Sequence, residues 1–305
     1  MTYADTYSQP NAPDPVLPAE LVLQLARRHA PHVSAVTEVD ESGGEARAYL
    51  CGDDTVVKTQ RPPRVRPRTS LRKEAFILDH LAPLGLPLPK LLGYGREEDV
   101  EYLVMTRMRG VPLEQAPLSE GGRAAVLEAV GMTLRRIHAA DQRELEASGL
   151  VPGDAAPGDL RQRIAYRLDA SIRVLEEDSS WPGKPDLREV AASLLKDVPE
   201  DGERVTLHSN PGPEHCFVDP VSGELTGLID FGDAYRSHPA LDVRSWFSLQ
   251  DSRLMLDGYR SLGPVSPGFE AVWRAGIVAT ELRLVARGHR GPDALRQTIS
   301  ALLRG

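Results

Sequence analysis

The stretch of sequence that decides the fold is VTLHSNPGPEHCFVDPVSGELTGLIDFGD, residues 205–233. Its apolar runs are short and are separated by residues typical of turns. This pattern predicts a strand, a loop, and then two strands joined by a hairpin turn. The three strands are predicted at 205–208, 216–219 and 225–230. The side chains that carry chemistry stand where these strands end.

Two acids and a histidine mark those strand ends, namely His208, Asp230 and Asp233. Asp230 directly follows an apolar pair, and an ionised carboxylate in such a place needs a metal, an arginine or backbone donors instead of water. Carboxylate oxygens beside an amide or an imidazole suit a divalent cation. The segment therefore predicts a polar site in a cleft.

The chain up to Met108 predicts a small antiparallel sheet with two helices. Strands are predicted at 33–39, 46–51, 55–58 and 102–105, a strand or turn at 91–95, and helices at 19–30 and 70–81. Ser70 is placed to cap the second helix, because its hydroxyl can accept a backbone N–H of the first turn. Gly43 and Gly44 give the first hairpin a glycine-bearing turn.

Helical periodicity dominates from residue 109 onward. Helices are predicted at 120–139, 160–178, 185–197, 240–262 and 269–303. The fold class is therefore α+β, with a strand-rich N-terminal lobe at 19–108 and a larger helical lobe at 109–305. Residues 1–18 contain four prolines, and we expect them to form a flexible arm.

Composition narrows the function without naming it. The chain has 305 residues, 41% of them hydrophobic, and a formal net charge of −8. An acidic protein is a poor general nucleic-acid binder, because phosphate binding requires a basic surface. No apolar run reaches the ~18 residues that a membrane span needs. Two cysteines make no disulfide framework, which favours a reducing, cytoplasmic setting.

The order of the motifs resembles the aminoglycoside phosphotransferase family, which shares the bilobal fold of protein kinases. That family has a loop of the form H-G-D-x-x-x-x-N, a hairpin, and then I-D-[FW]-[GE]-D. Here HSNPGPEH at 208–215 fills the loop and IDFGD at 229–233 fills the second motif. HPALD at 238–242 is similar to the family's tail after that motif. The resemblance runs from about residue 36 to residue 245 and implies a bilobal, protein-kinase-like fold.

The resemblance also implies a nucleotide site for ATP or GTP. Lys58 would contact the α- and β-phosphates, and Glu74 would pair with that lysine. The turn formed by Ser42, Gly43 and Gly44 would cover the nucleotide with backbone donors. Met105, in the segment YLVMTRMRG, would lie in the strand and hinge against which adenine docks.

The metal and the catalytic loop follow from the same resemblance, with two departures. Asp230 would bind Mg²⁺, together with His215 where the family usually has asparagine. Asn210 stands where the family has its catalytic aspartate, and an amide can orient a hydroxyl but cannot accept its proton. General-base help is worth about 10²–10⁴-fold in rate, so we expect slow turnover. His208 and Asp233 are the alternative bases.

Three functions stay open on this basis. The first is an ATP- or GTP-dependent phosphotransferase that phosphorylates a hydroxyl of a small molecule, such as an antibiotic, amino alcohol or sugar, or of a peptide. The second is a catalytically impaired pseudokinase that serves a protein partner as a nucleotide-binding scaffold. The third is other chemistry on the same fold.

Two charge clusters bear on partners. Residues 59–73 carry six basic residues and no acid, and residues 176–203 carry nine acids and three bases. Each is either a solvated face or part of a site. In the second case the acidic segment would rim the substrate cleft and meet a cationic substrate, while the basic segment would meet an acidic peptide, a partner or the nucleotide phosphates.

Overall fold

The computed structural model describes residues 7–67, 69–156, 158–177, 187–244 and 248–303. The helices of the described residues are α1 Ala19–Arg27, α2 Leu71–Leu81, α3 Glu120–His138, α4 Gln142–Ala147, α5 Leu160–Glu177, α6 Leu187–Lys196, α7 Leu249–Ser261, α8 Phe269–Ala286 and α9 Pro292–Leu303. Their strands are β1 Val36–Asp40, β2 Ala46–Cys51, β3 Thr55–Gln60, β4 Leu91–Glu97, β5 Val100–Thr106, β6 Val111–Pro112, β7 Val205–Leu207, β8 Cys216–Val218, β9 Leu225–Leu228 and β10 Tyr235–Ser237. None of the described helices is long and apolar enough to cross a membrane.

The largest sheet has five antiparallel strands in the order β1-β2-β3-β5-β4. β2 alternates between buried and partly exposed positions along its whole length, as expected for a strand with one face on a core. Gly52 forms the turn between β2 and β3 with φ of 63°, a conformation that favours glycine. The sheet confirms the strand-rich N-terminal region predicted from the sequence.

One face of this sheet forms a core with α1. The buried members of that core are Val22, Leu25, Ala26, Ala30, Val33, Tyr49, Cys51, Val57, Tyr102 and Val104. Val57 belongs to this face, and successive side chains of a strand point to opposite faces. Lys58 therefore points to the other face of the sheet, where α2 packs against β3, β4 and β5.

Helix α2 begins as its sequence predicts. The hydroxyl of Ser70 accepts the backbone N–H of Lys73 at 3.3 Å, which satisfies one of the free donors of the first turn. Lys73 and Glu74 in that turn are both buried, each 1% exposed. Charged side chains are rarely buried without partners, so this turn is part of a site rather than of the surface.

A second, smaller sheet has three strands in the order β6-β8-β9. Val111 of β6 pairs with Val218 of β8, and Cys216 of β8 pairs with Leu228 of β9. The two-residue strand β6 is too short for its periodicity to be read from the sequence. The predicted hairpin at 216–230 is present, and it delivers Asp230 just beyond the end of β9.

The chain divides into two compact units. The first comprises residues 1–126, 139–152 and 208–235, and the second comprises 127–138, 153–207 and 236–305. The segment 208–235 thus groups with the N-terminal sheet, because its β8 pairs with β6 and its polar residues contact α2. The lobe boundary that we expect near Met108 stays a prediction.

The second unit is mainly helical and contains α5 to α9. Helix α8 packs against α5, α6 and α9, and Trp273 of α8 donates a hydrogen bond to the carbonyl of Val243 at 2.6 Å. His138 is buried between Tyr259 and Asp242, 3.0 Å from each. The predicted helix 240–262 is represented by a 3₁₀ turn at 239–241 and by α7, and its residues 245–247 lie outside the described residues.

The described part of the N-terminal arm makes side-chain contacts with the first unit. Asp14 pairs with Arg61 at 2.7 Å and with Arg47 at 3.2 Å, and the backbone N–H of Leu17 donates to the Tyr49 hydroxyl at 2.9 Å. Residues 1–6 lie outside the described residues. The expected flexibility of residues 1–18 stays a prediction.

Candidate active site

An ion-pair network that is largely buried at Lys58 and Glu74 and partly exposed at Asp230 forms the centre of the site. The ammonium nitrogen of Lys58 lies 2.8 Å from Glu74 Oε2 and 2.5 Å from Asp230 Oδ1. The side chain of Lys58 is 13% exposed and that of Glu74 is 1% exposed. A strand, a helix and the end of a hairpin thus bring together three residues that are far apart in sequence.

Lys58 and Asp230 hold each other ionised. Burial by itself would raise the pKa of the Asp230 carboxyl, but the positive charge of Lys58 outweighs it and holds that pKa well below its usual range. Burial would lower the pKa of Lys58, and the carboxylates of Asp230 and Glu74 raise it instead. Burial raises the pKa of Glu74. Lys58 and Asp230 are therefore charged across the physiological range.

The first turn of α2 holds the segment that follows β9. Thr69 donates its hydroxyl hydrogen to Asp233 Oδ1 at 2.8 Å, and Lys73 donates to the carbonyl of Ala234 at 2.7 Å. The backbone N–H of Phe231 donates to Glu74. These contacts fix the chain directly after Asp230. Sequence reasoning missed Thr69 and Lys73, because nothing in the local pattern shows which loop a helix terminus will meet.

A pocket opens beside this network within the first unit. It is lined by the glycine-bearing turn, by β3, by the start of α2 and by the segment 229–233. The lining residues are Gly43, Gly44, Glu45, Ala46, Lys58, Gln60, Thr69, Leu71, Glu74, Asp230, Gly232 and Asp233. Gly43 and Gly44 thus stand where the sequence places them. Glu45 and Gln60 were not predicted, although Gln60 shares the strand face of Lys58 at two-residue spacing.

Two predicted nucleotide residues do not line this pocket. The backbone N–H of Ser42 donates to Asp40 Oδ1 at 2.8 Å, which fixes the start of the turn. Met105 is buried in β5, opposite Val56 of β3 and Leu91 of β4. Both lie in the elements expected of them, and their contacts with a nucleotide stay predictions.

His208 links the loop at 208–215 to the segment 229–233. It is fully buried. Its Nε2 donates to the carbonyl of Ile229 at 2.8 Å, and its Nδ1 accepts the backbone N–H of Asn210 at 3.3 Å. Both ring nitrogens are therefore engaged in the neutral imidazole. A role for His208 as base would require one of these bonds to break.

His215 lies beside Asp230 of the segment 229–233. Its Nδ1 donates to the carbonyl of Asn210 at 2.8 Å, and its Nε2 lies 3.4 Å from Asp230 Oδ2. Because a carbonyl only accepts, Nδ1 carries a proton, and in the neutral ring Nε2 carries the lone pair. This is the way in which metal-binding histidines are commonly oriented.

The Asp230 carboxylate fits a hard divalent cation that is shared with a ligand, and the His215 imidazole beside it is a softer donor. Among the described residues no group of three or more acidic, histidine or cysteine side chains converges as a metal site of its own. Mg²⁺ is typically held by one or two protein groups together with substrate phosphates and water. Asp230, with His215 beside it, matches that pattern.

The loop at 208–215 carries backbone strain at Ser209, where the aminoglycoside phosphotransferase pattern has glycine. Ser209 has φ of 77° and Asp230 has φ of 74°, in the left-handed region that residues with a Cβ rarely adopt. Asn210, between Ser209 and Pro211, is held through its backbone by both histidines of the loop. Strain of this kind concentrates at functional sites.

Three members of the basic segment are engaged inside the first unit, whereas Arg64 and Arg72 are exposed. Arg61 pairs with Asp14, Arg66 pairs with Glu45 at 2.9 Å, and Lys73 is buried. Arg68 lies outside the described residues. The expectation of a free basic surface for an acidic partner is therefore not supported at these three residues, because each meets an acceptor of its own unit.

The acidic segment is only partly described, because residues 178–186 lie outside the described residues. In the described part, Glu176 pairs with Arg188 at 2.7 Å and Glu200 pairs with Arg161 at 3.2 Å. All four residues belong to the second unit. A role for this segment at a substrate site stays a prediction.

Comparison with known proteins identifies a family. The model of the phosphotransferase enzyme family matches residues 36–260. Aminoglycoside 3'-phosphotransferases of Streptomyces fradiae and Streptomyces ribosidificus are each 29% identical, over 163 and 201 residues. These matches cover 53% and 64% of this chain, and 58% and 72% of those enzymes. The chain thus spans little more than half the length of the first relative.

Solved structures share the fold at lower identity. The streptomycin–ATP ternary complex of APH(2")-IIa is 19% identical with a TM-score of 0.56, and covers 95% of this chain and 97% of that chain. The GDP and kanamycin complex of APH(2")-IIia is 18% identical with a TM-score of 0.59, covering 93% and 97%. Macrolide 2'-phosphotransferase MphH of Brachybacterium faecium is 21% identical with a TM-score of 0.59, covering 93% and 98%. The α+β, protein-kinase-like fold expected from the sequence is confirmed.

Proposed function

Because the chain belongs to the phosphotransferase enzyme family, we propose that it transfers the γ-phosphoryl group of ATP or GTP to a hydroxyl of a small, antibiotic-like molecule. The observation that carries this proposal is the Lys58–Glu74–Asp230 network beneath the turn of Gly43 and Gly44. Phosphoryl transfer requires little covalent chemistry from a protein, and it depends on positioned positive charge and on a held metal. The network supplies a held cation and a carboxylate side by side.

Each residue of the site then has one task. Glu74 holds Lys58, whose ammonium group neutralises charge on the nucleotide phosphates. Backbone N–H groups of the glycine turn complete the phosphate cradle. Asp230 and His215 hold Mg²⁺, which when bound offsets the charge that develops on the transferred group. His208 holds the loop at 208–215 and the segment 229–233 together through its two hydrogen bonds.

The acceptor is the least defined part of the proposal. The relatives and neighbours named above act on or bind aminoglycosides, and one is a macrolide enzyme. We extend this substrate class to the present chain as a proposal. An aminoglycoside carries ammonium groups, which the acidic segment 176–203 would attract. Two free, buried cysteines are compatible with a reducing compartment such as the cytoplasm, where nucleotides are also available.

Asn210 sets the expected rate. Its amide oxygen can accept a hydrogen bond from the substrate hydroxyl and so orient it, but the proton must leave to water or to the phosphate itself. Loss of a general base typically costs about 10²–10⁴-fold in rate. We therefore expect slow transfer with nucleotide binding intact.

A second candidate is favoured by the same residue. A protein that binds nucleotide through Lys58 and Asp230 but no longer transfers phosphate would serve as a nucleotide-binding scaffold for a protein partner. It would retain the ion-pair network and lose only the carboxylate at position 210. Turnover by the unaltered protein separates the two candidates.

The deciding experiment compares the unaltered protein with Asn210→Asp and Asp230→Asn. Isothermal titration with ATP and GTP, with and without Mg²⁺, measures binding, and release of γ-phosphate onto a panel of aminoglycosides and macrolides measures transfer. We expect Mg²⁺-dependent binding in the first two proteins, weaker binding in Asp230→Asn, and transfer that is faster in Asn210→Asp. Nucleotide binding without phosphate transfer, both in the unaltered protein and in Asn210→Asp, would favour the scaffold. No nucleotide binding by any of the three would reject both candidates.

A further inference from the structure

An ion pair between Arg66 and Glu45 lies at the edge of the pocket. Arg66 Nε is 2.9 Å from Glu45 Oε1, and the side chains are 30% and 18% exposed. Glu45 follows the glycine turn directly and lines the pocket together with Lys58, Asp230 and Asp233. The Glu45 carboxylate thus stands in the wall of the pocket, beside the ion-pair network.

The contact between these two side chains is close but poorly directed. Arg66 Nε and Glu45 Oε1 are both buried, and neither makes a hydrogen bond of acceptable geometry with any described group. A nearby pair shows what a well-directed contact looks like here: Arg47 donates from Nε and Nη2 to Glu41 Oε1 at 2.9 and 2.7 Å. Guanidinium groups bind carboxylates and phosphates best when N–H bonds point at the oxygens. The pair therefore leaves part of the donor capacity of Arg66 unused.

Electrostatics also disfavours the carboxylate in this position. Burial raises the pKa of Glu45, and the neighbouring negative charges of Asp233 and Asp230 raise it further. Arg66 is the cation that offsets this. A phosphate group entering the pocket would repel Glu45 and would offer Arg66 a more highly charged partner with more acceptor oxygens.

Arg66 has a second support that does not depend on Glu45. Its guanidinium carbon lies 5.5 Å from the centre of the Tyr7 ring, and that of Arg64 lies 5.6 Å from the same ring. Contacts of this kind between a cation and an aromatic face are attractive. Tyr7 therefore keeps Arg66 at the edge of the pocket when the carboxylate moves away.

We propose that Arg66 is a second phosphate-binding cation of this site, and that the Glu45 carboxylate is a stand-in that leaves Arg66 when nucleotide phosphates bind. This inference rests on the proposed nucleotide binding. It adds a positively charged group to the residues that the sequence motifs assign to the site. It also gives a task to one member of the basic segment 59–73.

Isothermal titration of the full chain with a non-hydrolysable ATP analogue and Mg²⁺ tests the proposal. Arg66→Gln should weaken binding about tenfold or more, the usual effect of losing a hydrogen bond to a charged group. Glu45→Gln should tighten binding severalfold, because it removes the competing charge. Arg64→Gln is the matched control, since it shares the Tyr7 contact and pairs with no carboxylate of the pocket, and its affinity should not change. Adenosine, which has no phosphate, should bind all four proteins equally.

The test is decisive because the two substitutions should change the affinity for the ATP analogue in opposite directions. If Arg66 and Glu45 only brace the fold, both substitutions should weaken binding, and this result would overturn the proposal. Unchanged affinity in Arg66→Gln or in Glu45→Gln would overturn it as well. If the unaltered protein binds no nucleotide, the proposed function fails and this inference fails with it. Binding that these substitutions leave unchanged refutes the inference alone.

Discussion

The backbone at residue 209 shows what the catalytic loop demands of a single residue. Ser209 has φ of 77°, and a left-handed conformation brings the Cβ of an L-residue too close to its own backbone. Glycine has no Cβ and adopts this conformation without strain. The position therefore favours glycine on physical grounds alone, and serine is retained at a cost.

Substitution at this position should reverse the usual order of alanine and glycine. We expect Ser209→Gly to be more stable to urea than Ser209→Ala by about 1 kcal/mol, because only alanine keeps the strained Cβ. Both variants lack the hydroxyl, so the comparison isolates the backbone. Equal stability, or the ordinary preference for alanine, would show that the loop is not strained at residue 209.

The individual site residues differ in how far the sequence could reveal them. Lys58, Glu74 and Asp230 were predicted because linked motifs in a fixed order point to one fold, and the structure brings all three together. The partners of Arg66 and Lys73 were not predictable. A run of basic residues has the same pattern whether it faces solvent or an acid from a distant segment, since only the folded chain brings the acid close.

At the scale of elements, the glycine turn connects β1 and β2, and within it the backbone of Gly43 lies close to the carbonyl of Ala46. A Cβ on Gly43 would lie 2.7 Å from the carbonyl oxygen of Ala46, whereas a Cβ on Gly44 would meet nothing within 4 Å. The two neighbouring glycines are therefore not equivalent. The first is required by the shape of the turn, and the second leaves space beside the pocket.

Alanine substitutions should separate these two glycines. Gly43→Ala should lower the free energy of unfolding by about 1–3 kcal/mol, the usual cost of forcing an atom into a filled space. Gly44→Ala is the matched control and should change it by no more than roughly 0.5 kcal/mol. Chemical denaturation measures both. A loss in Gly44→Ala as large as in Gly43→Ala would contradict the described turn.

The arm and the turn are joined through Arg61, and Arg47 makes a second link because it contacts both Asp14 and Glu41. Arg61 donates from Nε to Asp14 Oδ2 at 2.8 Å and from Nη1 to the carbonyls of Glu41 and Gly43 at 3.3 and 3.1 Å. The arm thus anchors the side chain that holds the turn. This coupling links the N-terminal residues to the glycine turn at the edge of the pocket.

Removal of Asp14 should therefore loosen two segments that are distant in sequence. In Asp14→Ala we expect backbone amides of residues 8–17 and of 41–44 to exchange with deuterium about tenfold faster, as for the loss of one charge-assisted hydrogen bond. Asp53→Ala, in the exposed turn after β2, is the control. If only the arm exchanges faster, Arg61 does not couple the two segments.

At the scale of the whole molecule, the class and order of most elements follow from the sequence. Short apolar runs between turn residues predicted the strands of the large sheet, and helical spacing with a serine cap predicted α2. The short elements β6, α4 and β10 were not predicted. Two to six residues carry too little periodicity to be distinguished from loop, and β6 forms only because β8 lies beside it.

The stability of the folded chain should fall in mild acid because of His238. Burial, and next the nearby His138, lower the pKa of His238 to about 4 from 6.5 in the unfolded chain. The unfolded chain therefore binds this proton first, so stability is fully present above pH 6.5 and is lost as the pH falls toward 4. The loss from this group approaches about 3 kcal/mol.

One substitution isolates that contribution. His238→Asn keeps a side-chain acceptor for the backbone N–H of Ala240, which His238 Nδ1 now accepts at 3.2 Å, but it cannot be protonated in this range. The difference in unfolding free energy between pH 7 and pH 4.5 should be smaller in His238→Asn than in the unaltered protein. An identical difference in the two proteins would assign the acid sensitivity to other groups.

The hydrogen bonds that shape the catalytic loop have a consequence for its evolution. His208 and His215 hold residue 210 through its backbone N–H and carbonyl, so these two contacts would persist with a different side chain there. The codons for asparagine and aspartate differ by a single base. A lineage that carries this loop is therefore one point mutation away from a carboxylate at its centre, and selection can alter the catalytic chemistry without first rebuilding the loop.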